Sequence, residues 1–318
     1  MADAGEPAHA AGTPAAAPGG TAAPDPRPVW PGLAMAMLGS IAFSGKAIIV
    51  KLAYRHGVDA VTLIMYRMLF ALPLFLALAW WAGRGKPPLT RRDHGAVLGL
   101  GFCGYYLASF LDFAGLAYIS ASFERLILYL NPTLVLLLGL VLFKKRIAPG
   151  QWAALVISYL GVALVFGHEA RLEGPNVALG AALVFASALS YAVYLVFSGQ
   201  EVQRLGSLRL TGWATSVACV LCLLQFALLR PLSAATEVAP QVVWLSVLNA
   251  TVCTFVPVIL VMMAIERIGA GMAAQTGMIG PLSTILMGVV LLGEPFTPWI
   301  AAGTLLVLLG VWALARWR

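Results

Sequence analysis

Five ionisable side chains stand inside long apolar stretches of the first half of the sequence: Lys46, Arg67, Asp112, Glu124 and Arg125. A charge within a membrane-spanning helix costs roughly 2.5–3.5 kcal/mol on insertion scales, so such a side chain normally faces a partner or a wet cavity. Alternating helix directions place all five at a similar depth, so we expect them to pair with one another. Three cations against two anions leave one positive charge spare.

Two interpretations of these charges are open. In the first, they form salt bridges that hold helices together, with Lys46 and Arg125 reaching toward lipid headgroups. In the second, they line a polar pathway in which the spare cation attracts a carboxylate or another anionic group. For the whole group we favour the pathway. Asp112 and Glu124 are then the candidates for proton coupling, because buried carboxylates can titrate near neutral pH; transport without coupling is equally open.

Other polar side chains recur at three-, four- or seven-residue spacing, which places them on shared helix faces. Each such face suits substrate contact and ordinary packing equally well. The candidates are Tyr105 with Asp112, Arg125 with Tyr129, Asn249 with Cys253, the series Ser187, Tyr191 and Tyr194, and Gln275 near the start of the ninth apolar segment.

Two prolines interrupt apolar segments near their middle, Pro132 after Asn131 and Pro281 after Gly280. Each proline removes a backbone hydrogen bond and bends its helix, which exposes carbonyl groups that only a packed or water-lined site tolerates. Interrupted segments at corresponding places of two halves indicate the central site of a transporter. A kink that only shapes the packing is the alternative.

The elements that position these residues are ten apolar segments, each long enough to cross a membrane. Only 10% of the 318 residues are charged and the mean hydropathy is +0.90, whereas soluble domains are about 25% charged. The sequence therefore predicts an all-α integral membrane protein and excludes a water-soluble domain. The predicted spans cover residues 30–53, 60–82, 95–117, 120–143, 150–168, 176–198, 209–229, 241–265, 270–292 and 297–315.

The second half of the chain repeats the first. Ile119–Phe166 aligns without a gap on Ile268–Ala315, 149 positions later, with 12 identities in 48 pairs. Five spans per copy is an odd number, so we expect two inverted five-helix repeats. Thirteen Lys and Arg residues on one side against four on the other predict cytoplasmic N- and C-termini. The basic loop Lys144–Arg146 aligns with Gly293–Pro295, which has no basic residue. Inversion places the first loop in the cytoplasm and the second outside, so the loss of basic residues is expected.

The predicted organisation is a disordered Ala/Pro/Gly-rich cytoplasmic tail over residues 1–29, a first repeat over 30–168 and a second over 176–318. No motif indicates a cofactor, a metal or a nucleic-acid partner. The predicted partners are the lipid bilayer, a small-molecule substrate and, if transport is coupled, protons. The predicted location is the plasma (inner) membrane, and the oligomeric state is open.

Several stretches carry a resemblance to the drug/metabolite transporter superfamily, EamA type. They are Leu116–Ser122 through Asn131 and Pro132, Gly150–Trp152 with Leu160–Val162, Pro281–Glu294 with Leu309–Val311, Arg67, and Ser190–Tyr194. The resemblance implies ten helices in two inverted repeats, a substrate cavity between them, and mostly outward movement of small metabolites, often amino acids or drugs. One position departs from it: the acidic residue that ends the ninth span, Glu294, is Lys145 in the first copy.

The function that these observations favour is secondary transport by alternating access. A channel or facilitator pore for small polar solutes is the alternative, and an intramembrane enzyme is a distant third. An enzyme needs a nucleophile with a base, or a metal cluster, at membrane depth. The four histidines lie in the tail or at the edges of spans: His9, His56, His94 and His168.

Overall fold

A computed structural model describes residues 29–144, 148–172, 176–277 and 279–316. The predicted tail, apart from Val29, lies outside the described residues, as do Lys145 and Arg146 of the predicted basic loop. The helices of the first half are α1 Trp30–Tyr54, α2 Ala60–Gly83, α3 Arg91–Gly101, a π-helical segment Phe102–Leu107, α4 Ala108–Leu116, α5 Ala121–Leu128, α6 Asn131–Phe143 and α7 Pro149–Leu172.

The second half follows the same order. Its helices are α8 Val177–Leu205, α9 Ser207–Leu229, a 3₁₀ turn Leu232–Ala235, α10 Pro240–Ala250, a π-helical segment Thr251–Phe255, α11 Val256–Gly277, α12 Ile279–Met287 with a π-helical segment Gly288–Leu292, and α13 Pro298–Arg316. Within the described residues, eight helical stretches are long and apolar enough to cross a membrane, and Ile279–Leu292 and Pro298–Leu314 are two shorter apolar ones. The protein is a multi-pass integral membrane protein.

Helix starts follow local capping. Thr90 and Asp93 form a capping box at the start of α3, so this helix begins at Arg91 rather than at the predicted residue 95. Asp59 caps α2 through the backbone N–H groups of Val61 and Thr62. Burial acts to raise the pKa of Asp59, but hydrogen bonds from Thr62 and the nearby Arg230 guanidinium outweigh it and hold the pKa below its usual value.

Equivalent helices of the two halves pack against each other in opposite directions. In the α2–α9 pair, Ala79 lies beside Gly212 and Met68 beside Cys219. The α7–α13 pair runs the same way, with Val165 beside Gly303 and Ser158 beside Gly310. In both pairs the residue numbers of one helix rise along the contact while those of the other fall, so the equivalent helices are antiparallel. The second repeat is therefore inverted relative to the first, as the sequence predicts.

The other large interfaces recur when the halves are exchanged. Helix α1 packs on α11 and α12, and its equivalent α8 packs on α4 and α6. Gly45 contacts Cys253, and the equivalent positions of the other repeat, Tyr194 and Gly104, are also in contact. Equivalent positions are 149 residues apart. The π-helical segments Phe102–Leu107 and Thr251–Phe255 also occupy matching positions. A π-helical turn often marks a functional site within a helix. The third span of each repeat is therefore a candidate for contributing to such a site.

The predicted boundary between the eighth and ninth spans is not a loop. The sequence predicts a break between residues 265 and 270, but α11 remains helical to Gly277. The chain nevertheless changes direction along α1, as three contacts show: Val261 with Gly39, Ile268 with Gly32, and Gly277 with Ser40. The sequence Gly269-Ala270-Gly271 permits such a bend, because sharp helix kinks occur at glycine-rich positions. The ninth span thus starts within α11 and continues into α12.

Candidate functional site

A lysine lies between two carboxylates where α1, α4 and α5 of the first repeat come together. Lys46 Nζ on α1 is 2.5 Å from Asp112 Oδ2 on α4 and 3.7 Å from Glu124 Oε1 on α5. The carboxylate side chains are 2% and 0% exposed, and that of Lys46 is 18% exposed. Asp112 Oδ1 and both oxygens of Glu124 lack a hydrogen-bond partner among the described residues. The lysine therefore neutralises two acidic groups without saturating either.

Arg125 joins this group to the second repeat. Its Nε lies 4.0 Å from Glu124 Oε2 and donates a hydrogen bond to Thr284 Oγ1 on α12, at 3.0 Å. Its Nη2 donates to the carbonyl oxygen of Phe43 on α1. The predicted pairing is thus confirmed for Lys46, Asp112, Glu124 and Arg125. Neither cation reaches away from the carboxylates toward a headgroup.

Arg67 on α2 is the spare cation. It is only 6% exposed, its guanidinium lies 5.1 Å from the ring centre of Phe113, and its Nε donates to Thr254 Oγ1 at 3.3 Å. Its Nη1 is buried without a hydrogen-bond partner in the described part of the chain. A buried donor without an acceptor destabilises the folded protein unless a water molecule or a ligand accepts its hydrogen bond.

The π-helical segment of the eighth span holds the partner of Arg67. Thr254 Oγ1 donates to the backbone carbonyl of Asn249, five residues earlier, at 2.8 Å. The side chain of Asn249 is 1% exposed, and both its polar atoms lack a partner within the described ranges. The predicted pair Asn249 and Cys253 therefore lies on the same span as Thr254, whose hydroxyl the sequence did not mark.

The two predicted helix kinks differ in form: Pro132 lies at the start of a new helix, where its missing N–H costs no intrahelical hydrogen bond, and Pro281 lies within α12. The fourth span is broken into α5 and α6, with Pro132 in the first turn of α6. Pro281 has no N–H for the carbonyl four residues earlier, which is that of Gly277. Tyr129 donates its hydroxyl to this same carbonyl at 3.0 Å. Arg125 and Tyr129 thus share a face, as predicted, and both contact the ninth span.

The tyrosine face of the sixth span lies apart from these charges. Tyr194 and Tyr105 are joined through their hydroxyls at 3.1 Å, and Tyr191 stacks on Tyr194. Ser187 donates to the carbonyl of Ala108. Tyr105 and Asp112, predicted on one face, contact different helices, since a π-helical segment intervenes and alters the helical register. The side chain of Gln275 lies outside the described part of the structure.

Two glutamates that the site prediction omitted converge on the start of α5. Glu294 accepts hydrogen bonds from Ala121 N at 2.7 Å, Ser122 N at 3.2 Å and Ser122 Oγ at 2.7 Å. Glu169 accepts from the N–H and the hydroxyl of Ser120, the N-cap of α5. Carboxylates at a helix N-terminus satisfy its free N–H groups and its dipole. We call Ser120, Ala121, Ser122, Glu169 and Glu294 the α5 clasp.

The α5 clasp has no equivalent in sequence at the opposite end of the molecule. The positions related by 149 residues to Glu294 and Glu169 are Lys145 and Arg318. Both are cations, which cannot accept hydrogen bonds from a helix N-terminus. The acidic residue that ends the ninth span was the signal available in the sequence, but its contact with α5 depends on the inverted packing.

Comparison with known proteins agrees with this architecture. Residues 30–167 and 178–316 each match the EamA-like transporter family. The chain belongs to the EamA-like transporter family. An uncharacterized transporter of Bacillus subtilis, YcbK, is similar to this EamA-family chain at 30% identity over 271 residues, covering 81% of this chain and 84% of that protein.

Other relatives span nearly the same length. A probable amino-acid metabolite efflux pump of Salmonella typhimurium is 24% identical over 287 residues, covering 87% of this chain and 92% of the pump. An uncharacterized transporter of Archaeoglobus fulgidus is 26% identical over 287 residues, covering 88% and 94%. A crystal structure that covers 90% of this chain superimposes with a TM-score of 0.59 at 21% identity, a likeness of fold alone.

Proposed function

We propose that this EamA-family protein is a secondary transporter that moves small metabolites, such as amino acids, drugs or related compounds, out of the cell across the plasma membrane. The observation that carries this proposal is the buried charged group of Lys46, Asp112, Glu124 and Arg125, which lies where α1, α4 and α5 meet α12 of the other repeat. Groups buried at the seam between inverted repeats suit a site around which the repeats rock.

The chemistry of the group suits reversible binding. Lys46 holds Asp112 tightly and Glu124 loosely, so a substrate or a proton that neutralises a carboxylate releases the lysine. The broken fourth span and the carbonyl of Gly277 add polar backbone at the same seam. Rearrangement of these contacts is our proposed route from one access state to the other, with Asp112 and Glu124 as sites for a coupled proton.

The test is transport by purified protein in proteoliposomes. Uptake, efflux and counterflow of a labelled panel of amino acids and other metabolites, with and without a pH gradient, should reveal saturable counterflow of at least one compound. Single-channel conductance without saturable counterflow would replace the transporter by a pore.

A matched pair of variants ties the activity to the site. Asp112→Asn keeps the shape of the side chain and removes the charge that holds Lys46, so we expect at least a tenfold loss of flux at unchanged expression. Glu201→Gln removes a carboxylate that pairs with Arg204 at the edge of α8 and should transport normally. Full transport by Asp112→Asn would remove this group from the pathway.

A further inference from the structure

We propose that Arg67 is the cationic part of a binding subsite for an anionic group, and that this group is a carboxylate of the transported compound. The inference rests on the proposed transport function and adds to it the chemical class of the substrate. It starts from the excess of positive charge inside the first repeat.

The five charges predicted within the spans of the first repeat do not balance. Lys46 and Arg125 lie beside Asp112 and Glu124, which cancels two against two. Arg67 is the third cation of this group, and its contacts are a hydroxyl and an aromatic ring. A charge at membrane depth normally has a partner of opposite sign or a water-filled cavity. A ligand that binds beside Arg67 should therefore carry a negative charge.

Among the described residues around Arg67, the one carboxylate within electrostatic reach is Asp112, which Lys46 already binds. Cys219, Cys222 and Cys253 lie close enough to interact with it electrostatically, but a buried thiol is neutral and a weak acceptor. Asp112 is also within electrostatic reach; its Oδ1 has no hydrogen-bond partner among the described residues, but its Oδ2 is already bound to Lys46 at 2.5 Å. An anion from outside the protein would give Arg67 a counter-charge that it does not share with Lys46.

The geometry favours an acceptor with two oxygens. Thr254 and the ring of Phe113 fix the guanidinium plane and leave Nη1 of Arg67 as a buried, unpaired donor. The Thr254 hydroxyl also donates to the backbone carbonyl of Asn249, and the side-chain amide of Asn249 is a second buried polar group without a partner in the described segments. Guanidinium groups bind carboxylates through paired hydrogen bonds.

Anions of two origins fit a lone guanidinium, an organic carboxylate and an inorganic ion such as chloride. They are separated by measuring the thermal unfolding midpoint of the purified full-length protein in detergent during titration with sodium acetate, sodium chloride and acetamide. Acetate carries the proposed group, chloride carries only the charge, and acetamide has the same shape without the charge. We expect a saturable rise with acetate, a much smaller one with chloride, and none with acetamide.

Variants assign the effect to Arg67. Arg67→Gln removes the charge and should weaken acetate binding at least tenfold. Thr254→Val keeps the side-chain volume, serves as a second variant if Arg67→Gln does not fold, and should weaken binding about fivefold, because it removes the hydrogen bond that orients the guanidinium. Arg84→Gln, at the end of the same helix, is the control and should bind acetate like the wild type.

The outcomes separate this proposal from the transport function. Absence of an acetate effect, an effect unchanged in Arg67→Gln and Thr254→Val, or an equal effect of chloride would overturn the carboxylate subsite. Acetate binding that needs Arg67 supports it, even if no compound shows counterflow and the transport proposal fails. Saturable transport at the wild-type rate by Arg67→Gln would leave transport standing and refute the subsite.

Discussion

Lys46 sets the energetics of the site because it is the common counterion of two carboxylates that are more buried than itself. Removing one partner of a buried ion pair is far more costly than replacing the pair, since the remaining charge is stranded. The stability of this region should therefore depend on the balance of charge rather than on the number of charged groups.

Lys46→Met tests this balance. It strands Asp112, leaves Glu124 with only the more distant Arg125, and should cost ~3–5 kcal/mol, seen as a lower midpoint of thermal unfolding in detergent. The double variant Lys46→Met with Asp112→Asn should recover part of the loss. Lys51→Met is the control, because within the described residues Lys51 donates to the neutral carbonyls of Leu116 and Ile119 and to no carboxylate. A single variant as stable as the control would refute the argument.

At this scale the sequence identifies charges well and hydroxyls poorly. The five ionisable residues stand out because a charge in an apolar segment is rare, and their pairing followed from their similar depth. Thr254 and Thr284 could not be singled out, since a threonine in a helix can satisfy its hydroxyl on its own backbone. Both do so, Thr254 on Asn249 and Thr284 on Gly280, while also accepting from arginines.

At the scale of elements, a hydrogen bond joins the fourth span of one repeat to the ninth span of the other. The break after α5 places the Tyr129 hydroxyl on the carbonyl of Gly277, which Pro281 leaves without a backbone donor. One repeat thus completes the hydrogen bonding of the other.

A double-mutant cycle measures this exchange. Tyr129→Phe should cost about 1–2 kcal/mol in the wild-type background, because it leaves a buried carbonyl unpaired. In a Pro281→Ala background the residue at 281 can donate its own N–H to that carbonyl, so the same change should cost less. Equal costs in the two backgrounds, by chemical denaturation, would show that the contact does not depend on the proline.

The α5 clasp predicts a local effect on dynamics. Glu294→Gln keeps the side-chain shape but weakens charge-assisted hydrogen bonds to Ala121 and Ser122. We expect amide hydrogen exchange at residues 120–124 to become about tenfold faster, the equivalent of ~1.4 kcal/mol. Glu237→Gln, at an exposed position, should leave exchange unchanged. Protection that stays constant in Glu294→Gln would mean that Glu169 and Ser120 suffice.

The whole molecule combines a symmetric frame with an asymmetric lining. The helices exchange under a shift of 149 residues, but the positions equivalent to the five buried charges are Leu195, Ser216, Val261, Ala273 and Ala274. The duplication and the inversion could be predicted, because proline, glycine and loop charges record backbone shape and topology. The bend within α11 could not, since a helix that turns back leaves the same apolar pattern as two helices.

Membrane orientation is the prediction that belongs to this scale. Single cysteines at Lys145 and Phe296, in a background without Cys103, Cys219, Cys222 and Cys253, should react with a membrane-impermeant maleimide from opposite sides of intact cells or inverted vesicles. Lys145→Cys should label from the cytoplasm, following the positive-inside rule. Labelling of both from one side would contradict the inverted insertion.

The α5 clasp bears on the resting state of the protein when no compound is bound. The repeats are joined by different polar contacts at their two ends, the α5 clasp at one and the Arg204–Asp93 and Arg209–Pro87 contacts at the other, so the two empty orientations should differ in free energy and one of them should predominate. A compound offered from the side that the predominant orientation faces meets open sites, whereas one offered from the other side must wait for a rarer opening. Initial rates measured from the two compartments will then differ, although the final distribution at equilibrium is the same.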